Sequence, residues 1–262
     1  MSVSIDSDAA PFAMPPTFGI HRKVLPRQDV DRVRGFVKRV LGGRPVPASG
    51  QDDHDWSVRI SDLMFNGVLE GPGQLVNFLR TTPVPDLCRT ILGPDVVYSV
   101  DKSLVRYFDP ARRPQLAQMH FDAHLFGPQH KMLTVWVPLN PVGVESPGLS
   151  MCTRPNWPTT HWQDLVDAID GDGIYDPRRA RRRGYPHEEI YALAANEAEW
   201  PFIAPALDVG DVMIFDHQLI HGTQAGLVAP ASRMSLEVRV IPVALAEVLH
   251  KLDRRYVFGR LD

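Results

Sequence analysis

The chain of 262 residues has only two cysteines, Cys88 and Cys152, and no long apolar run. Two cysteines are too few for a disulfide framework and fit a reducing compartment, so we expect a cytoplasmic protein. A membrane-spanning helix needs about 18 or more apolar residues in a row, so we expect no membrane partner. The first residues lack both the basic segment and the apolar segment of a signal peptide, so we expect no signal peptide.

An excess of charge of one sign is also missing. The formal net charge is −3, with 23% charged and 44% hydrophobic residues, which is ordinary for a globular protein. Because nothing in this balance favours a polyanionic partner, we expect no nucleic acid and instead a small-molecule substrate. The oligomeric state stays open.

The chain does contain His120-Phe121-Asp122, followed about a hundred residues later by His221. Two histidines and one carboxylate in this order are typical of the facial triad that binds non-heme Fe(II). A strand places residues i and i+2 on one face, so we predict that His120 and Asp122 bind a metal from one strand. His221 would reach the same metal from a neighbouring strand, and three positions of an octahedron would stay open.

A second part of the pattern lies around His221, which ends an apolar run and precedes Arg233 by twelve residues. We predict a hairpin of 211–223 and 233–241, with Thr223 and Arg233 close together across its strands. A fixed guanidinium fork near a metal suits the distal carboxylate of a dicarboxylate such as 2-oxoglutarate.

Hydrophobic periodicity predicts the order of the elements. The predicted elements are a helix at 29–41, loop with short strands at 44–72, helices at 73–80 and 85–92, strands at 95–108, 131–140, 149–153, 211–223 and 233–241, and a helix near 243–254. Helices followed by antiparallel strands favour a mainly β fold with flanking helices. We therefore predict a double-stranded β-helix, the cupin-like jelly roll.

We expect this fold to form a single domain. Its predicted parts are a flexible lead-in at 1–20, helical support at 21–97, a jelly-roll core at 98–241 with a lid insert at about 154–200, and a C-terminal helix within 242–262. A long irregular insert between core strands is where such a fold carries function. The arginines from Arg178 to Arg183 form either a solvated loop or a basic lid that guides an anionic substrate.

These motifs resemble, in order and spacing, the phytanoyl-CoA dioxygenase (PhyH-like) family of Fe(II)/2-oxoglutarate-dependent oxygenases. The matching segments, within roughly residues 98–241, are Gln118 to Asp122, Leu133 to Leu139, Pro147 to Leu149, Gly210 to Val212, His221 to Thr223, and Arg233. The usual family run of proline, glycine, serine and histidine is replaced by Cys152-Thr153-Arg154-Pro155, which implies a different substrate wall.

The resemblance implies Fe(II), 2-oxoglutarate and O₂ as cofactors. Iron would be bound by His120, Asp122 and His221, and 2-oxoglutarate by Arg233, Thr223, Thr134 and Arg106. Weaker candidates for contact with substrate are Gln118, Trp136, His217 and Arg239. Arg239 contacts either a substrate carboxylate or Glu237 in an ion pair at the barrel mouth, and Trp136 fills either the core or the pocket wall.

We therefore expect a mononuclear non-heme dioxygenase that hydroxylates a natural product, amino acid or acyl compound and releases succinate and CO₂. Two alternatives stay open. One is a cupin-like iron enzyme that does not use 2-oxoglutarate, and the other is a non-catalytic sensor that binds metal or 2-oxoglutarate. Desaturation, cyclisation and epoxidation are further outcomes among which the sequence does not choose.

Overall fold

The computed structural model describes the chain in several ranges. These ranges are 18–41, 56–108, 120, 122–126, 130–152, 202–224, 227, 231–254 and 256–261. The lid insert predicted at 154–200, the arginines within it, residue Gln118 and most of the lead-in at 1–20 lie outside them, so these expectations stay predictions.

Five α-helices lie in the described residues. They are α1 Arg27–Leu41, α2 Ile60–Phe65, α3 Gly73–Val76, α4 Val84–Leu92 and α5 Val243–Leu252, and a 3-10 turn, Asn77–Thr81, follows α3. On α1, Val30, Val33 and Val37 are buried at spacings of three and four, which is the apolar stripe of an amphipathic helix. The helices predicted near 29–41, 73–80, 85–92 and 243–254 are confirmed, whereas α2 lies in a segment that we predicted as loop and strand.

The ten described strands form two antiparallel sheets. The strands are β1 Phe18–His21, β2 Trp56–Arg59, β3 Val96–Phe108, β4 Leu133–Pro138, β5 Leu149–Cys152, β6 Phe202–Ile203, β7 Val212–Asp216, β8 His221–Thr223, β9 Arg233–Pro242 and β10 Phe258–Arg260. The major sheet has the order β1-β7-β4-β9-β3-β10, with β2 also paired to β3, and the minor sheet has the order β6-β5-β8.

Apolar side chains fill the space between the sheets, among them Met151, Met213 and Phe215. This architecture is a double-stranded β-helix, which confirms the predicted fold class. Three strands were not expected. β1 begins within the predicted lead-in, β6 lies between the predicted lid insert and the strand predicted at 211–223, and β10 lies in the segment predicted as helix. None of the helices in the described ranges is long and apolar enough to cross a membrane.

One predicted pairing is wrong. Segment 211–223 is not a single strand: it forms β7 in the major sheet and β8 in the minor sheet, and β9 pairs with β4 and β3 instead. The chain changes sheets at a turn in which the carboxylate of Asp216 accepts the N–H of Gln218 at 2.8 Å. Apolar alternation does not reveal this break, because residues on both sides of the turn are buried.

The strands β4 and β9 are buried on both faces. The outward face packs against the helices through Leu133, Val135, Val137, Leu236, Val238 and Val240. The inward face, which looks between the sheets, carries Thr134 and Trp136 on β4 and Arg233, Ser235, Glu237 and Arg239 on β9. Alternation therefore collects the polar side chains of two central strands in the interior, next to the minor sheet.

A turn before β7 joins the N-terminal strand to the major sheet. Gly210 has φ of 101°, a left-handed conformation that favours glycine. The carboxylate of Asp211 accepts the N–H groups of Lys23 and Asp208, both at 2.9 Å, and a guanidinium N–H of Arg22 at 2.7 Å. Burial acts to raise the pKa of Asp211, but these donors and the charge of Arg22 lower it overall.

Candidate metal and cosubstrate site

His120, Asp122 and His221 form the one group of histidine, cysteine or acidic side chains in the described residues that could hold a metal ion. One ligand atom from each lies within 4.8 Å of the others. His120 Nε2 is 3.9 Å from Asp122 Oδ1, and the centroids of the two imidazole rings are 4.4 Å apart. Two imidazoles and a carboxylate are a donor set that Fe(II) accepts with positions left open.

The backbone delivers His120 and Asp122 differently from our prediction of a shared strand. His120 forms an isolated bridge with His221, in which each N–H donates to the other carbonyl oxygen at 2.8 Å. Asp122 instead begins a 3-10 turn, Asp122–Leu125. The prediction that one strand carries both ligands is therefore wrong, although the two side chains do converge.

His221 is held in the form that a metal requires. Its Nδ1 lies 2.9 Å from the carbonyl oxygen of Leu219, so Nδ1 carries the proton and Nε2 presents a lone pair. Burial lowers the pKa of His221 to about 3, and the neighbouring His120 contributes in the same direction. The ring also packs against Phe215, with centroids 4.7 Å apart. The imidazole of His221 is therefore neutral and fixed in orientation.

Two side chains of the inward face contact the carboxylate of Asp122. Thr134 Oγ1 donates to Asp122 Oδ2 at 2.8 Å. Arg239 places Nε 3.2 Å from Oδ2 and Nη2 3.4 Å from Oδ1. Thr134, predicted to contact the cosubstrate, thus contacts the candidate metal ligand here, and Arg239 lies beside the same carboxylate.

Arg233 is only 1% exposed and begins β9, six residues before Arg239. Its Nη1 donates to the carbonyl oxygen of Gly148 at 3.2 Å and to Thr223 Oγ1 at 3.3 Å. The guanidinium carbon lies 5.8 Å from the centroid of the Phe108 ring. Thr223 and Arg233 are therefore close, as predicted, but they face each other across the two sheets and not within a hairpin.

Glu237 joins the two remaining arginines of the interior. Its Oε1 is 2.7 Å from Arg106 Nε, and its Oε2 is 3.1 Å from Arg239 Nη2. Burial acts to raise the pKa of Glu237, but Arg106 and then Arg239 outweigh this and lower it. The ion pair between Arg239 and Glu237 is the second of the two arrangements expected for Arg239.

A cavity lies beside the triad, and its lining includes His120, His221, Thr223, Arg233 and Trp136. Trp136 is completely buried, and its Nε1–H has no hydrogen-bond acceptor among the described residues. A buried donor without an acceptor is costly, so its position on a cavity wall is a sign of a missing polar ligand.

The other predicted contacts divide as follows. Arg106 lines the cavity together with Glu237. His217 is buried but does not line this cavity, and its charge contributes, after burial, to a lowered pKa of His130. Glu237 was not among the site residues predicted from the sequence, although a charged residue with the same strand parity as Arg233 was the signal that could have identified it.

The fold and the triad define a structural class, a double-stranded β-helix with a candidate two-histidine, one-carboxylate centre. No protein-family model matches the chain, and no curated protein matches it in sequence.

Solved structures with a similar fold are known. SnoN, a non-heme alpha ketoglutarate dependent epimerase from nogalamycin biosynthesis, is 15% identical over 87% of this chain and 77% of its own, with a TM-score of 0.55. SnoK, a carbocyclase with the same dependence from that biosynthesis, is 17% identical over 91% and 85%, with a TM-score of 0.54. AviO1 from Streptomyces viridochromogenes Tue57 is 15% identical over 93% and 98%, with a TM-score of 0.52. At these identities the likeness establishes the fold alone.

Proposed function

We propose that this protein is a mononuclear non-heme Fe(II)/2-oxoglutarate-dependent oxygenase that acts on a small molecule. The observation that carries the proposal is a compact triad of His120, Asp122 and His221 beside a cavity whose wall contains Arg233. A metal centre with open positions and a buried guanidinium fork are the two requirements for binding a keto acid with a second carboxylate.

The triad residues fit iron in chemistry as well as in distance. Asp122 and His221 are almost completely buried, while the His120 side chain is 20% exposed on the cavity side. His221 is already neutral and oriented through Leu219, so metal binding requires no change of tautomer. His120, Asp122 and His221 would hold Fe(II).

The side chains that line the cavity suit the two carboxylates of 2-oxoglutarate in chemistry. Arg233 lies in the cavity lining and is the arginine that follows His221 along the chain, which makes it the preferred anchor for the distal carboxylate. The carbonyl oxygen of Gly148 and the hydroxyl of Thr223 orient the Arg233 guanidinium. The Nε1–H of Trp136 provides one further donor in the same cavity.

When bound, Fe(II) and 2-oxoglutarate would supply the oxidation of a substrate by O₂, with decarboxylation of 2-oxoglutarate to succinate and CO₂. The residues of the chain bind and orient both groups and keep water away from them. Leu149 and Trp136 supply apolar surface to the cavity lining, which lowers the local dielectric and strengthens the contact of Arg233 with a carboxylate.

We propose hydroxylation as the outcome, since a complete carboxylate ligand at Asp122 leaves no vacancy for a halide. Proteins of similar fold catalyse other outcomes, as SnoN is an epimerase and SnoK a carbocyclase. We further propose a place in the PhyH-like family, a cytoplasmic location and a single domain, and these rest on the sequence motifs and composition.

The test is production of succinate from 2-oxoglutarate by the Fe(II)-loaded protein in air, with panels of amino acids, acyl compounds and natural products. A product heavier by one oxygen atom indicates hydroxylation or, on a carbon–carbon double bond, epoxidation. A product of unchanged mass but different chromatographic retention indicates epimerisation, and a loss of two hydrogens indicates desaturation or cyclisation. Asp122→Ala is the matched inactive control. Consumption of O₂ and oxidation of a substrate without 2-oxoglutarate would replace the proposal with the cupin-like alternative.

A further inference from the structure

The interior contains a network of four charged side chains. The binding of iron and 2-oxoglutarate does not by itself require this network. Arg106 contacts Glu237 at 2.7 Å, and Glu237 contacts Arg239 at 3.1 Å. Arg239 then contacts both oxygens of Asp122, at 3.2 and 3.4 Å. This network of four charged side chains therefore extends from the cavity wall to the carboxylate of the candidate metal centre.

Stability alone gives little reason for this arrangement. The four side chains are between 2% and 13% exposed. Removing such charges from water costs about as much as their mutual attraction returns, so apolar side chains of similar volume would serve the fold equally well. The charges of the network also cancel, since it contains two guanidinium groups and two carboxylates, so it adds no net charge beside the metal.

We propose that Arg239, held by Glu237, is a positioning residue that orients the Asp122 carboxylate so that one oxygen, Oδ1, is presented to the metal. This inference rests on the metal centre of the proposed function but concerns residues that the function itself does not assign.

The contacts of the two carboxylate oxygens are unequal. Asp122 Oδ2 accepts from Thr134 Oγ1 at 2.8 Å and from Arg239 Nε at 3.2 Å. Oδ1 accepts a longer contact from Arg239 Nη2, at 3.4 Å, and lies 3.9 Å from His120 Nε2. A carboxylate held in this way binds through one oxygen. A carboxylate without these donors can rotate, bind through both oxygens and occupy a position that the cosubstrate needs.

The backbone holds Arg239 in place on both sides. The register of β4 and β9 places Arg239 opposite Thr134, so the two side chains reach Asp122 from adjacent strands. On the other side, β3 bulges between Ser99 and Leu104, and Ser103 Oγ accepts the N–H of Arg239 at 3.0 Å. Bulges re-aim side chains near functional sites, and this one lies directly opposite the arginine.

Glu237 limits how strongly Arg239 acts on Asp122. Both carboxylates contact the same nitrogen, Nη2, so they share its positive charge. Without Glu237, the guanidinium would interact more strongly with Asp122 and compete with the metal for the carboxylate. Glu237 therefore fixes the position of Arg239 and keeps Asp122 available as a ligand.

The test compares Mn(II) binding to the wild-type protein and to the double variant Glu237→Gln/Arg239→Gln, which removes one charge of each sign. The dissociation constant for Mn(II) and the EPR spectrum of bound Mn(II) are measured beside the melting temperature of the metal-free protein. We expect affinity weaker by roughly 10- to 100-fold and an altered spectrum, since partners of metal ligands have effects of this size. The melting temperature of this variant should fall, because Arg106 loses its carboxylate partner and Asp122 its guanidinium partner, so the spectrum of bound Mn(II) and not the melting temperature identifies the positioning role.

Two further variants make the result decisive. Arg239→Lys keeps the charge but loses the planar fork, so it should also weaken and alter Mn(II) binding. Asp86→Asn/Arg89→Gln removes an exposed ion pair of 2.7 Å on α4 and should change none of the three quantities.

Wild-type affinity and spectrum in both Arg239 variants would overturn the positioning role. A lowered melting temperature with an unchanged Mn(II) spectrum would also overturn the positioning role, because the network of charged side chains would then be only structural. If the wild-type protein bound no Mn(II), the metal centre of the proposed function would itself fail, and that result differs visibly from the other two.

Discussion

The two faces of the central strands β4 and β9 are equally buried but chemically opposite. On β9, the outward Leu236 and Val238 are 0% exposed and pack in the apolar core, whereas the inward Arg233, Glu237 and Arg239 are 1% to 4% exposed. Burial therefore does not separate the residues that hold the fold from those that form the site. Strand parity does, because successive side chains point to opposite faces.

The inward face has an energetic cost that the outward face does not. Apolar burial stabilises the fold in proportion to area, while buried charges require partners to offset their desolvation. We therefore expect inward substitutions that leave no buried charge without a partner to remove ligand binding at little cost in stability. Outward substitutions should lower stability and leave ligand binding unchanged.

The largest effect is expected for the triad. His120→Ala, Asp122→Ala and His221→Ala should each abolish turnover and strongly weaken Fe(II) binding, because each removes one of three metal ligands, while the fold survives. Metal content, succinate formation and thermal unfolding measure the three properties. Near-normal turnover in any of these variants would exclude that residue as an essential ligand.

Leu236→Ala is the matching change on the outward face. Leu236 is 0% exposed, and truncating such a residue usually costs about 2–5 kcal/mol in the free energy of unfolding. Urea unfolding should show this loss, while Fe(II) and 2-oxoglutarate affinities stay unchanged in the folded protein. A large loss of ligand affinity with unchanged stability would contradict the division between the faces.

Arg233→Lys should have the next largest effect. Lysine keeps the charge but lacks the planar fork, and a charge-assisted hydrogen bond contributes on the order of 1.5–3 kcal/mol. We expect Fe(II) binding to be retained and the 2-oxoglutarate dissociation constant to rise roughly tenfold or more. Arg27→Lys, at a 70% exposed side chain on α1, is the control. If Arg233→Lys and Arg233→Ala both bound 2-oxoglutarate with unchanged affinity, Arg106 or Arg239 would be the residue that binds its distal carboxylate.

Trp136→Phe should have a smaller effect on the same ligand. The substitution keeps an aromatic ring and removes the Nε1–H, a single neutral donor worth about 0.5–1.5 kcal/mol. Calorimetric titration should show 2-oxoglutarate affinity lowered several-fold, with iron retained. Tyr107→Phe removes a hydroxyl that contacts Ser232 at 3.4 Å and should not change this affinity. If Trp136→Phe also left it unchanged, the indole would be only part of the apolar wall.

The smallest effect is expected for the stability contributed by Asp211, a buried carboxylate with a structural role. The pKa of Asp211 is lowered in the folded protein, so its contribution to stability is present above the ordinary pKa of 3.8 and is lost as pH falls through the folded pKa. The difference in unfolding free energy between the wild type and Asp211→Asn should therefore shrink below about pH 4. A difference that is constant from neutral pH down to pH 3 would contradict this role.

Much of the site could be predicted from the sequence because its chemistry is carried by residue type and order. Two histidines, one carboxylate and a later arginine are enough to predict the triad and Arg233. The jelly roll follows from helices that precede antiparallel strands. These signals are local or depend only on order along the chain.

The remainder depends on contacts that no local pattern contains. The change of sheet after Asp216 is hidden because β7 and β8 are both buried. The 3-10 turn at Asp122 and the bulge beside Ser103 were not predicted from the sequence, and both lie where donors reach the carboxylate of the candidate metal ligand. From the sequence, Glu237 could be identified only as a possible partner of Arg239. Its contact with Arg106 joins β9 to β3, and a contact between two strands that are distant in sequence has no local pattern.

The most direct test of the central claim is an anaerobic titration of the Fe(II)-loaded protein with 2-oxoglutarate, followed by visible absorption. We expect a charge-transfer band that saturates at equimolar 2-oxoglutarate in the wild type, needs more 2-oxoglutarate in Arg233→Lys, and is absent in Asp122→Ala. No band in wild-type protein that has bound Fe(II), or an equal band in Asp122→Ala, would contradict the assignment of the inward face as an iron and 2-oxoglutarate site.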